Sequence, residues 1–71
     1  MAVELVTRQG CHLCDDTAAA LRALGIPATA RDVDADPELL RLYDFRVPVI
    51  LRDGQVVAEG RITVEALRAL L

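Results

Sequence analysis

The sequence predicts a small α/β fold with the order β-α-β-α-β-β-α, and three observations carry that reading. Residues 2–8 alternate in polarity as a strand does, residues 12–24 repeat their apolar positions at helical spacing, and Asp53-Gly54 separates two β-branched runs as a hairpin turn would. A strand-helix-strand opening implies a parallel pair with a right-handed crossover, so the later hairpin must add an antiparallel neighbour. The 71 residues show neither an internal repeat nor a low-complexity stretch, and a single domain over residues 1–71 is expected.

In AVELVTR, Val3, Leu5 and Thr7 share one face and Glu4, Val6 and Arg8 the other; Glu4 suits an open rim better than a sheet centre. From His12 to Leu24, the positions Leu13, Thr17, Ala20, Leu21 and Leu24 face a core, while Asp15, Asp16, Ala19, Arg22 and Ala23 face away. Gly25-Ile26-Pro27 stops this helix, because glycine takes the left-handed position after the last turn and proline cannot continue it. A second strand runs from about Thr29 to Val33. Asp36 then serves as N-cap, with Pro37 at the first position of a short helix ending near Asp44. VPVIL and QVVAE form the hairpin, and Thr63 caps a last helix whose Val64, Leu67, Leu70 and Leu71 share a face.

Composition removes several function classes. Aromatics are 3% of a chain that is 54% hydrophobic, so the core must be aliphatic and base stacking has little to work with. Tyr43 and Phe45 are the only large rings, and both are expected in the core or at its rim. The net charge is -3 and every basic residue is an arginine, scattered singly, which disfavours a nucleic-acid partner. No secretory leader or membrane span is legible, so a cytoplasmic monomer is expected. Asp32, Asp34 and Asp36 alternate as calcium ligands do, but they lack the glycine and closing glutamate of an EF-hand loop, and strand-end and capping roles account for them.

The chemistry concentrates in GCHLCDD, residues 10–16. Cys11 falls in the first turn of the helix after the first strand, and Cys14 follows one turn deeper on the same face. The thiolate is the species that attacks disulfides, and a helix N-terminus supplies unpaired N–H donors and the positive dipole end. Cys11 is therefore the attacking thiol and Cys14 the more shielded resolving one. Arg8 and His12 favour the anion, whereas Asp15 and Asp16 oppose a second negative charge. A disulfide across two intervening residues would constrain the unfolded chain very little, so stapling is a weak explanation. Zinc wants four ligands, and Cys11, Cys14 and His12 supply at most three, so no metal site is expected within one chain. A cluster shared between two protomers and a redox-inert adaptor stay open as alternatives.

Taken together, LVTRQGCHLC, VDADPELLRLYDFRVPVIL and DGQVVAEG resemble the glutaredoxin-like branch of the thioredoxin superfamily, above all small bacterial proteins with a CHLC-type site. The resemblance implies a four-stranded mixed sheet of order 4-3-1-2 with strand three antiparallel, two helices on one face and the short one on the other. It implies thiol-disulfide oxidoreductase activity on a disulfide-containing protein or small thiol. No cofactor is required, and glutathione is a candidate co-substrate. It also implies a cis bond before Pro48, which would place Val47 beside Cys11 for an extended thiol peptide to pair with. Gly60 and Arg61 would complete that groove, Arg61 by receiving a carboxylate. Departures are visible: CHLC has no proline after the first cysteine, Arg8 replaces a frequent lysine, Val6 replaces a common aromatic, RVP replaces a threonine-containing triplet, and Gly60 lacks a second glycine.

Overall fold

The computed structural model describes residues 2–71, and its elements follow the expected order. They are β1 (Val3–Thr7), α1 (His12–Ala23), β2 (Thr29–Asp32), α2 (Pro37–Tyr43), β3 (Val49–Arg52), β4 (Gln55–Glu59) and α3 (Val64–Leu70). The sheet order is β2-β1-β3-β4, with β2 parallel to β1 and the hairpin antiparallel to it. Both faces of β1 are buried, because helices cover the sheet on both sides. Val3 and Leu5 pack with Leu21 of α1, Ile50 of β3 and Leu67 of α3. Val6 packs on the opposite face with Val33, Leu39 of α2, Val49 and Leu51. Burying one such aliphatic side chain stabilises by about 1.5–3 kcal/mol, so this double layer fixes the central strand from which the candidate site extends.

Local chemistry sets the boundaries. The hairpin turn holds Asp53 at φ 52° and Gly54 at φ 85°, both positive as a type I′ turn requires. Asp53 also ties this turn to the start of β1: its Oδ1 accepts from Ala2 N at 2.8 Å and its own N–H donates to Ala2 O at 2.8 Å. Asp36 Oδ1 accepts from Glu38 N and Leu39 N and so caps α2, with Pro37 at its first turn. Thr63 Oγ1 accepts from Ala66 N at 3.1 Å and caps α3.

Four expectations change. The second strand stops at Asp32, and Val33–Ala35 form a 3₁₀ turn; Asp32 Oδ1 accepts from Asp34 N at 2.9 Å and bends the chain, while Val33 turns inward and is fully buried. Glu4 sits not at an open rim but on the central strand, where Arg31 of the edge strand β2 pairs with it at 2.7 Å. Leu70 lies at the margin of the α3 face and is exposed, leaving Leu67 as the buried anchor. Phe45 does not pack at all. It is 95% exposed, while Tyr43 is half-buried against the α2 side of the core and carries Arg46 over its ring at 5.1 Å.

Candidate active site

The carboxyl end of β1 delivers the chain into Arg8-Gln9-Gly10, and Gly10, at φ 79°, makes the turn that an L side chain would resist. Cys11 N donates to Arg8 O at 3.3 Å and closes this turn. Cys11 is then the N-cap of α1, one position earlier than the first-turn place the spacing suggests, with an extended backbone at φ −94°, ψ 112°. Its Sγ takes the capping role of a serine or aspartate oxygen by accepting from Cys14 N at 3.2 Å. The Cys14 amide thus holds the Cys11 sulfur in place.

Both cysteines are free thiols. Cys11 is partly exposed, whereas Cys14 is fully buried on the inner stripe of α1 with Thr17 and Leu21. Thr17 meets its own hydrogen-bonding need by donating to Leu13 O at 2.9 Å. Burial pushes the Cys14 thiol above its ordinary value, and its hydrogen bond to Cys11 adds to that. The Thr7 side chain and the Arg8 backbone act in the opposite direction without cancelling the shift. Cys14 therefore stays protonated at neutral pH. The alternation of β1 names Thr7 only as a core-facing strand position; nothing in the sequence says that its hydroxyl lies under a sulfur one helical turn into the next element.

The remaining anticipated positions divide into two groups. Val47-Pro48 precedes β3 and has the cis bond. Because Val49 pairs with Val6, this dipeptide lies alongside the end of β1 that leads to Cys11. Gly60 N donates to Pro48 O at 2.9 Å, which carries Gly60 and the exposed Arg61 to the same rim. His12 is exposed at the first position of α1. Arg8, however, turns its guanidinium to the side of the 3₁₀ turn rather than leaving it open. Its Nε and Nη2 donate to Asp34 at 2.9 and 3.0 Å, its Nη2 to Asp44 Oδ1 at 2.6 Å and its Nη1 to Asp44 O at 2.9 Å. That guanidinium holds the Asp34 carboxyl below its ordinary value. Asp32, Asp34 and Asp36 are absorbed by capping and ion pairing, and no group of three or more metal-ligating side chains gathers among the described residues.

A thioredoxin-type sheet with a CxxC pair at the first strand-to-helix junction defines a glutaredoxin-like class. The glutaredoxin-like domain model matches residues 2–71, and the chain belongs to that family. Among solved structures, it is similar to XcR50 from X. campestris, at 33% identity over 96% of this chain and 92% of that one, with a TM-score of 0.84. The thioredoxin-like protein BC3987 is 31% identical over 97% of this chain and 99% of its own, with a TM-score of 0.76. Ne2328 from Nitrosomonas europaea is 28% identical over 99% of this chain and 89% of its own, at 0.81. No curated protein matches the sequence. Among the described residues, no helix is long and apolar enough to cross a membrane.

Proposed function

We propose that this CHLC-type chain is a thiol-disulfide oxidoreductase in which Cys11 attacks and Cys14 resolves. The single observation that carries the reading is the Cys14 N–H donating to Cys11 Sγ at 3.2 Å, at a helix N-terminus, on a residue that is partly exposed. That amide and the positive end of the helix dipole face the sulfur proposed to attack, and the thiolate is the species that reacts with disulfides. The thiolate displaces one thiolate from a substrate disulfide and forms a mixed disulfide on Cys11. Cys14 then loses its proton and attacks Cys11 Sγ, expelling the second substrate thiolate. Two electrons pass to the substrate, and the protons of the pair go to solvent or to the departing thiolates. Two external thiols, or one dithiol, return the Cys11–Cys14 disulfide to its starting state.

The buried Cys14 suits the second role, since a resolving thiol that stays protonated until the mixed disulfide forms does not compete for substrate. Val47 precedes β3 and takes no part in its ladder, which supports pairing with an extended disulfide peptide, flanked by Gly60 and Arg61. The test is a pair of substitutions assayed on a disulfide-linked peptide. Cys11→Ser abolishes turnover, and Cys14→Ser accumulates the mixed disulfide; a doubly substituted protein that still reduces the peptide overturns the proposal.

A further inference from the structure

A disulfide that approaches Cys11 brings its flanking charges to the rim around it, and the ion pairs there are asymmetric. The Arg8 guanidinium has four hydrogen bonds, all to Asp34 and Asp44, so it offers nothing to an incoming carboxylate. Arg46 is likewise paired with Glu59 at 2.6 Å. Asp15 and Asp16, exposed on the first turns of α1, have no ion-pair partner among the described residues, and Asp15 N donates to Cys11 O at 3.0 Å. Asp15 also joins Asp32, Thr7, Arg8 and Gln9 in lining a shallow depression beside the loop that enters Cys11. Against Asp15 and Asp16 stands, among the described residues, one guanidinium at this rim without an ion-pair partner, Arg61. Glutathione carries two carboxylates and one ammonium, so its disulfide arrives as an anion at a rim whose main cation is already engaged.

We infer, on the strength of the oxidoreductase reading above, that the Cys11–Cys14 pair selects disulfides with uncharged or cationic flanks and turns over glutathione disulfide poorly. Arg8, Asp34 and Asp44 form a latch that withholds a cation, and Asp15, Asp16 and Asp32 repel what the latch does not bind. The effect acts on encounter and on the mixed disulfide alike, through charges that solvent screens.

The test is single-turnover oxidation of the reduced protein by cystamine, hydroxyethyl disulfide and glutathione disulfide. Each rate is divided by that of the same disulfide with free dithiothreitol, so that leaving-group reactivity cancels. At low salt the normalised rates fall in the order cystamine, hydroxyethyl disulfide, glutathione disulfide, spread over about 3–10-fold and shrinking to less than about twofold at 0.5 M salt. Asp15→Asn with Asp16→Asn, both at exposed positions where no buried contact is lost, raises the glutathione value. Asp34→Asn with Asp44→Asn raises it further by releasing Arg8. Equal normalised rates, a preference for glutathione, or Asp15→Asn/Asp16→Asn values identical to the parent overturn the inference and leave the oxidoreductase reading standing. Failure of all three disulfides to oxidise the pair overturns both.

Discussion

Thr7→Val removes one hydroxyl and keeps the β-branched shape that suits a strand. In the native site the Thr7 hydroxyl and the Arg8 N–H are what favour a charged Cys14, against burial and the Cys11 hydrogen bond. Valine leaves the burial in place and withdraws one of the two donors. A hydrogen bond to a charged group contributes about 1.5–3 kcal/mol, and sulfur, a weak acceptor, belongs at the low end of that range. Since 1.4 kcal/mol is a factor of ten in the thiolate fraction, and the more basic thiolate regains about threefold in nucleophilicity, resolution of the mixed disulfide by Cys14 should slow about three- to fourfold. The first step, carried by Cys11, should stay within about twofold, the effect of ~0.5 kcal/mol expected for a change away from the reacting sulfur. Rapid mixing with hydroxyethyl disulfide, acid quenching and intact-mass measurement separate the two steps, because the mixed disulfide is heavier than either end state. An unchanged resolving rate, or equal slowing of both steps, refutes the assignment of Thr7 to Cys14.

Ile50 is fully buried between α1 and α3, and Ile50→Ala should cost about 2–5 kcal/mol in a denaturant titration. Phe45→Ser, at a side chain that is 95% exposed, should stay within about 0.5 kcal/mol of the parent in the same titration, and a core-sized loss there would mean that the ring is covered. Burial raises the folded-state value of the Cys14 thiol above its ordinary 9.0, so its contribution to the stability of the reduced protein is fully present below pH 9.0 and is lost as pH rises through that higher value. Melting curves of the reduced parent and Cys14→Ala should therefore converge above pH 9.0, and a constant gap would contradict the burial argument. Arg46 holds Glu59 below its ordinary 4.5, so what that pair contributes is present above pH 4.5 and disappears as pH falls through the lower folded value; Glu59→Gln melts should approach the parent's only in that acid window.

Much of this was legible from residue periodicity because the elements are locally consistent. The Asp53-Gly54 turn, the Asp36 and Thr63 caps and the stop at Gly25 each state their geometry in two or three residues, and the structure has all of them. The cysteine pair was legible for the same reason, through its place between a strand and a helix. What escaped depends on contacts made across the fold. Glu4 reads as misplaced until Arg31, two residues along the neighbouring strand from Glu4's register partner Thr29, reaches it diagonally. Arg8 reads as a cation beside a thiol until Asp34 and Asp44, from two separate later segments, close on it. Phe45 reads as core by hydropathy, yet it follows the end of α2 on a connection that leaves its ring in solvent. Thr7 is invisible as a functional group because its partner is a sulfur in the next element. Pairwise chemistry of this kind has no signature in spacing.

The account turns on an outer sulfur held by an amide and an inner one shut away beneath it. Brief iodoacetamide treatment of the reduced native protein at neutral pH, followed by peptide mapping, reads both at once. Alkylation should accumulate on Cys11 at least about a hundredfold faster than on Cys14, which reacts only when local opening, at a cost of about 3 kcal/mol or more, exposes it. Equal labelling of the two cysteines, or faster labelling of Cys14, would contradict the assignment of their roles.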